Sequence, residues 1–149
     1  MISAHHAGYV LDASVIVKWF LHHQEADRDR AIALREMHIS GRSKIYIPRL
    51  ALLEILNAIR FNSKADEETG EAALQALEDL HLESKGGDAD IFRKANAIAW
   101  AYKITIYDAL YVALADQVGF PLITADEKMI KKLKSHSIVV PLREIEIEN

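Results

Sequence analysis

The chain has 149 residues, of which 50% are hydrophobic, so it can form one compact domain with a substantial core but not two ordinary domains. It contains no cysteine, which excludes disulfide frameworks, thiolate zinc sites and cysteine nucleophiles. The net charge of −4 argues against a broad basic surface that would grip a nucleic-acid backbone. We therefore expect a single domain over residues 1–149 whose chemistry uses oxygen or nitrogen groups.

The chain has no apolar stretch of the ~18 residues that a membrane helix needs. Its first ten residues also lack the basic region and the long apolar stretch of a signal peptide. These features predict a soluble, cytoplasmic protein with no membrane partner.

Short apolar stretches of the β type alternate with helical patterns, which predicts an α/β fold with a mainly parallel sheet. In the first half we predict a strand at Gly8–Leu11, helices at Ser14–His22 (capped by Ser14) and about Glu25–Ile39, a strand at Lys44–Ile47, and helices at Arg49–Asn62 and Ala65–His81. In the second half we predict a strand at Leu82–Lys85, helices at Asp88–Tyr102 and Tyr107–Val118, a strand at Pro121–Thr124, a helix at Asp126–Lys134 and a strand at Ile138–Val140. No connection between them is long enough to link two domains.

Four acidic residues stand in or beside strongly apolar stretches, namely Asp12, Glu54, Asp108 and Asp126. A buried carboxylate without a partner is destabilising. Two carboxylates about 5 Å apart also repel by roughly 3 kcal/mol at an effective dielectric constant near 20. Such a group indicates a site for a divalent cation.

The predicted elements bring these acids to one edge of the sheet. Asp12 follows the first strand, Asp126 lies two residues after the strand at Pro121–Thr124, and the carboxyl ends of parallel strands share one edge. Glu54 lies one to two turns into the helix after the second strand, and the Asn57 amide on the same helix face is a candidate supporting group. Asp108 opens an almost wholly apolar helix whose start should face the interior. Carboxylate oxygens are the ligands that Mg²⁺ prefers.

Each acid also has a purely structural explanation. Asp126 can cap the helix that follows it, Asp12 can be a turn residue, and Asp108 can be an N-cap. Glu54 can pair with a buried arginine. Glu54 is the hardest of the four to explain structurally, because a residue in the middle of a helix caps nothing.

The segments YVLDASVIVKWF, LALLEILNAI, IYDALYVALA and LITADEKM, in this order, resemble motifs of the PIN-domain ribonucleases, and among them the VapC toxins of prokaryotic toxin–antitoxin pairs. The resemblance spans roughly Tyr9 to Val140. It implies a three-layer α/β/α fold and hydrolysis of RNA phosphodiesters at a Mg²⁺ or Mn²⁺ centre. The metal ligands that it implies are Asp12, Glu54, Asp108 and Asp126.

The same resemblance implies that Ser14 and Thr124 support the acids through their hydroxyl groups. It also implies a homodimer and an antitoxin partner whose tail occupies the active-site groove. The apolar faces of the helices predicted at Arg49–Asn62 and Ala65–His81 point to a dimer as well.

Two further groups of side chains are candidates for RNA contacts. Lys128, Lys131 and Arg49 would attract phosphate near the acids, although the lysines are also typical of a solvated helix face. Trp19 and Trp100 fall in apolar helical patterns, so we expect both in the core rather than stacked on bases.

Other functions are compatible with parts of the pattern. A phosphatase of the haloacid-dehalogenase type also begins with a strand ending in Asp, but it needs a second Asp two positions later, where this chain has Ser14. A PIN nuclease of RNA processing that is not a toxin would show the same four acids. A catalytically silent PIN-like binding domain is the non-enzymatic alternative.

Overall fold

The structure, a computed structural model, describes residues 6–22 and 26–147. The strands are β1 (Gly8–Leu11), β2 (Lys44–Pro48), β3 (Glu83–Lys85), β4 (Leu122–Thr124) and β5 (Val139–Pro141). The helices are α1 (Ala13–Phe20), α2 (Arg28–Ile39), α3 (Leu50–Arg60), α4 (Glu67–Leu80), α5 (Ala89–Tyr102), α6 (Ile106–Val118) and α7 (Glu127–Lys132), and a 3₁₀ turn covers Leu142–Glu144.

The five strands form one parallel sheet in the order β3, β2, β1, β4, β5. The chain moves from β1 outward to β2 and β3, and then returns to the other side of β1 for β4 and β5. Right-handed crossovers therefore place α1 to α4 on one face of the sheet and α5 to α7 on the other. This confirms the predicted three-layer α/β/α fold with a parallel sheet, and it puts the point where the strand order reverses beside β1.

Helix α6 forms the centre of the core on its side of the sheet. It packs against β1, β2, β4 and α5. Seven consecutive residues, from Ala109 to Ala115, are buried, which explains why this helix is apolar on all sides. Because α6 leads through Gly119 into the start of β4, its first turn lies at the carboxyl edge of the sheet.

The prediction that Ser14 caps α1 is wrong. Asp12 is the N-cap, and its side chain accepts a hydrogen bond from the Ser14 backbone N–H. The helix ends at Phe20 rather than His22, because Leu21 is extended, with φ −104° and ψ 91°. Asp12 therefore fixes the start of the helix that follows β1.

Most other boundaries differ from the predictions by one to three residues. Helix α2 begins at Arg28 because Asp27 is left-handed, with φ 58°, and the predicted start at Glu25 lies outside the described residues. Helix α6 begins at Ile106 because the Thr105 side chain caps it. Such shifts at helix ends leave the order and type of the elements unchanged.

The two tryptophans differ in burial. Trp19 is 3% exposed, and its indole Nε1 donates a hydrogen bond of 2.8 Å to the Ala31 carbonyl, so its predicted core position is confirmed. Trp100 is 80% exposed, so its predicted core position is wrong. Helix α5 buries Ala95 and Ala99 on one stripe, and a side chain one position further along points about 100° away.

Over the described residues, none of the helices is both long enough and apolar enough to span a bilayer.

Candidate active site

Asp12 is the buried centre of the site, with 5% of its surface exposed. Its backbone N–H donates to the Ile123 carbonyl at 3.0 Å, which ties the end of β1 to β4. Its Oδ2 accepts hydrogen bonds from the Ser14 hydroxyl at 2.5 Å, the Ser14 N–H at 3.3 Å and the Thr124 hydroxyl at 3.1 Å. Among the described residues, none donates a hydrogen bond to Oδ1. This oxygen still reaches solvent, because it is not one of the fully buried polar atoms that lack a partner. One carboxylate oxygen is therefore anchored and the other remains available to a ligand.

Ser14 and Thr124 connect Asp12 with Asp126. The Ala125 N–H donates to the Ser14 hydroxyl at 3.0 Å, and the Asp126 N–H donates to the Thr124 hydroxyl at 3.1 Å. Thr124 is completely buried. The predicted support by the two hydroxyls thus has a clear geometry, since they fix the segments after β1 and β4 together.

Asp126 caps α7, as the structural explanation of this residue proposed. Its Oδ1 accepts hydrogen bonds from the Lys128 and Met129 N–H groups at 2.9 and 3.1 Å. Among the described residues, no hydrogen bond involves its second oxygen. Asp126 also raises the pKa values of Asp12 and Asp108, so its charge reaches the site while it caps the helix.

Glu54 points into the site from the second turn of α3. Its Oε1 accepts a hydrogen bond of 2.8 Å from the Tyr111 hydroxyl, so its partner is a phenol on α6 rather than the arginine of the structural alternative. Burial, together with Asp12 and Glu54, raises the pKa of Tyr111 far above its usual value, so this hydroxyl remains neutral. Tyr111 was missed from the sequence because its position in an apolar helix indicates only a core residue.

Asp108 lies in the first turn of α6, but it is not the N-cap. The Thr105 hydroxyl accepts the Asp108 N–H at 3.0 Å and is the cap, so that structural explanation of Asp108 is wrong. Lys132, on the last turn of α7, lowers the pKa of Asp108, and its Nζ donates to the Lys103 carbonyl at 2.9 Å.

Mutual repulsion of the carboxylates is visible in their pKa values. Burial raises the pKa of Asp12, and Asp126 raises it further, against the hydrogen bonds from Ser14 and Thr124. Burial raises the pKa of Glu54 to about 7, with smaller contributions from Asp12 and Asp108. Burial also raises the pKa of Asp108, aided by Asp12 and Asp126. The four acids therefore form one electrostatic cluster at the carboxyl edge of the sheet.

The donor set of this cluster fits a hard divalent cation. Carboxylate oxygens suit Mg²⁺ and Mn²⁺, and a positive charge would relieve the repulsion that raises the pKa values. Over residues 6–22 and 26–147, however, no three acidic or histidine side chains converge closely enough to hold an ion as they stand. Asp12, Glu54 and Asp126 instead each accept hydrogen bonds from donors of their own.

The remaining predicted residues lie on the periphery. Asn57 is exposed on α3, and among the described residues its amide makes no hydrogen bond to the acids. Lys128 and Arg49 are exposed, while Lys131 lines a cleft between α7 and β5 together with Arg143.

Comparison with known proteins identifies the class. A three-layer fold with acids at the reversal point of the strand order defines an α/β protein built to hold a ligand at that edge. The family model described as "PIN domain" matches residues 9–134. The chain therefore belongs to the PIN domain family, as its motifs predicted, and the haloacid-dehalogenase alternative has no support.

Individual relatives agree with this assignment. The chain is 27% identical over 127 residues to "Ribonuclease VapC3" of Pyrobaculum aerophilum, a match that covers 83% of this chain and 92% of the relative. A toxin–antitoxin complex from Klebsiella pneumoniae superposes with a TM-score of 0.67 at 16% identity, covering 90% of this chain and 97% of that one. VapBC2 from Rickettsia felis, bound to a DNA fragment of its promoter, superposes with a TM-score of 0.65 at 17% identity. This match covers 94% of this chain and 99% of that one.

Asp108→Asn separates a site of repelling charges from a structural role. Burial raises the pKa of Asp108, and Asp12 and Asp126 raise it further, so removal of its charge should leave the metal-free protein as stable as the parent, or up to about 1 kcal/mol more stable. Asp88 is the cap of α5, and Asp88→Ala should cost about 1 kcal/mol. Urea unfolding with a chelator present measures both. A loss for Asp108→Asn that equals the loss for Asp88→Ala would mean that Asp108 stabilises the fold.

The Glu54 carboxyl predicts a pH dependence of stability. Its pKa is about 7 in the folded protein against 4.5 in the unfolded chain, so the folded state binds its proton more tightly. This stabilisation is complete below pH about 4.5 and is lost as the pH rises through about 7. For a partly solvated group we expect a loss on the order of 1–2 kcal/mol without metal.

Glu54→Gln, which is always neutral, should show a smaller loss over the same pH range. The matched control is Glu78→Gln, an exposed residue of α4 outside the groove between α3 and α4, which should retain the parental pH dependence. Unfolding free energies without metal, measured across this range, decide the matter. An unchanged slope in Glu54→Gln would show that Glu54 titrates as an ordinary carboxyl.

Proposed function

We propose that this chain is a Mg²⁺- or Mn²⁺-dependent endoribonuclease and the toxin of a toxin–antitoxin pair. The observation that carries the proposal is the cluster of Asp12, Glu54, Asp108 and Asp126, whose charges repel at the reversal point of the strand order. Membership of the PIN domain family and similarity to a relative named as a ribonuclease support the same activity.

The four acids would hold the cation, with Asp12 contributing Oδ1, which accepts no hydrogen bond from the described residues. A bound divalent ion supplies Lewis-acid polarisation of water and of the phosphate oxygens. In the hydrolysis, a water oxygen forms a bond to phosphorus while the bond from phosphorus to the leaving oxygen breaks, and the proton of the water ends on the products. No side chain acts as a nucleophile.

The residues around the acids position them for this reaction. Ser14 and Thr124 hold Asp12 Oδ2, so the carboxylate cannot rotate away from the site. Tyr111 holds Glu54 in the same manner. The pKa of Glu54 is about 7 in the protein without metal, and a bound cation would favour the deprotonated carboxylate that can hold it.

An antitoxin is the proposed protein partner. The structural neighbours from Klebsiella pneumoniae and Rickettsia felis are toxin–antitoxin assemblies that match nearly the whole described fold. A PIN nuclease that acts only in RNA processing would have the same acids, but these neighbours favour the toxin role.

We also propose a homodimer formed through α3 and α4. Helix α4 buries only Ala73 and Leu77, and Leu53 on α3 is 66% exposed. A groove of about 570 Å³ between the two helices is lined by Leu56 and Leu74 among others. A second copy of the chain would cover this apolar surface, which one small sheet leaves in contact with solvent.

Metal-dependent cleavage tests the enzymatic proposal. The parent should cleave single-stranded RNA with Mg²⁺ or Mn²⁺ and stop when EDTA is added, because the acids need the cation to bring phosphate near. Asp12→Asn and Asp108→Asn should each lower cleavage by about a hundredfold or more. Gel analysis of labelled RNA with Asp90→Asn, an exposed Asp on α5, as the control gives the answer. Cleavage that persists in EDTA, or in both site variants, would contradict the proposal.

Light scattering tests the dimer. The parent should have twice the 16.8 kDa mass of one chain at micromolar concentration. Leu53→Lys should shift the mass toward the monomer without lowering the melting temperature, since Leu53 is exposed within one chain. The matched control is Ile39→Lys on α2, which is 58% exposed and should stay dimeric. A parent of monomeric mass rules the dimer out.

A further inference from the structure

An exposed aromatic surface adjoins the acidic cluster at the corner between α5 and α6. Trp100 is 80% exposed and Tyr107 is 62% exposed, so both side chains are largely open to solvent. A groove of about 620 Å³ beside Trp100 is lined by Asn96, Lys103 and Ile106 among others. Large aromatic side chains left open in this way point to a ligand that uses them.

The groove lies close in the chain to one acid of the cluster. Thr105 lines the groove, and its hydroxyl accepts the backbone N–H of Asp108 at 3.0 Å. Successive helical residues point about 100° apart, which places Tyr107 between the groove residue Ile106 and the acid Asp108 on the surface of α6. Lys132, which contacts the groove residue Lys103, also lies within electrostatic reach of Asp108, so the groove and this acid share a neighbour.

The same corner carries positive charge. Lys132 Nζ donates at 2.9 Å to the backbone carbonyl of Lys103, the C-cap residue of α5, so the Lys132 ammonium lies next to a residue that lines the groove. Lysine is depleted at the centre of protein–protein interfaces, whereas aromatic rings next to cations are typical of surfaces that bind single-stranded nucleic acid. In a chain of net charge −4, this local positive charge complements a phosphate backbone.

We propose that the surface formed by Asn96, Trp100, Lys103, Thr105, Ile106, Tyr107 and Lys132 binds unpaired RNA bases next to the scissile phosphate. Trp100 and Tyr107 stack on bases, and Lys103 and Lys132 contact the phosphates between them. The proposal rests on the ribonuclease function proposed above and adds the side chains that hold the bases of the substrate. The rival occupant is a second copy of the chain.

Binding to a short single-stranded RNA tests the proposal in an Asp12→Asn background, which does not cleave under the proposed mechanism. Trp100→Ala should weaken binding about ten- to a hundredfold, the usual effect of one lost base–aromatic stack. Trp100→Phe should restore most of the affinity. The control is Phe92→Ala, an exposed aromatic on the same helix, 51% exposed and outside the groove, which should leave affinity unchanged. Fluorescence anisotropy of labelled RNA gives the dissociation constants.

An abasic oligonucleotide of equal length identifies the contact. It keeps the phosphates and lacks the bases, so the parent and Trp100→Ala should bind it with equal, weak affinity. If Trp100→Ala weakened binding of both oligonucleotides by the same factor, base stacking would be ruled out. A shift of Trp100→Ala to a lower mass in light scattering would overturn it too, because a second copy would then cover the surface.

Measurements of cleavage and of binding distinguish failure of the ribonuclease proposal from failure of the stacking proposal. In the otherwise unchanged chain, Trp100→Ala should raise KM for RNA with little change in kcat, since the ring lies outside the acidic cluster. If the parent cleaves no RNA but shows base-dependent binding through Trp100, the stacking surface is supported and the ribonuclease proposal is not. If Trp100→Ala and the parent both cleave RNA in a metal-dependent reaction with the same KM, the ribonuclease proposal is supported and the stacking surface is not.

Discussion

The burial of the Asp12 carboxylate beside the reversal point of the sheet is the constraint on which the site depends. A buried charge is destabilising unless it is paired or hydrogen-bonded. Here Ser14 and Thr124 supply donors to one oxygen, and within residues 6–22 and 26–147 no group donates a hydrogen bond to the other. Those two hydroxyls also accept hydrogen bonds from backbone N–H groups of the segment after β4. The groups that stabilise the Asp12 carboxylate therefore also connect the ends of β1 and β4.

The other three acids are held in different ways by different elements. Their side chains are therefore kept apart but remain close enough for their charges to interact. Glu54 is held by a phenol across the core, Asp126 caps a short helix, and Asp108 lies near the positive end of α6. Burial and like charge act in the same direction on Asp12, Glu54 and Asp108, and their pKa values rise. A cluster with this property gains stability from any cation that it binds, because the repulsion then disappears.

Charge and aromatic surface are distributed unequally around this cluster. Of the lysines on α7, Lys132 turns toward Lys103 and Asp108, whereas Lys131 lines a cleft on the side of β5. Lys132 thus lies at the corner between α5 and α6, where Trp100 and Tyr107 are exposed. An acidic protein can in this way offer a polyanion one local path to its site.

The sequence determined the alternation of strands and helices, the three-layer class and the four acids, because burial imposes a hydrophobic period and makes an isolated carboxylate conspicuous. It did not show that Asp12 rather than Ser14 caps α1, nor that Tyr111 partners Glu54, because a cap and a cross-helix hydrogen bond depend on backbone geometry and on neighbours distant in the chain. The exposure of Trp100 was likewise settled by tertiary structure. An apolar pattern shows that a helix has a buried face, but only packing decides which of two adjacent positions faces the core.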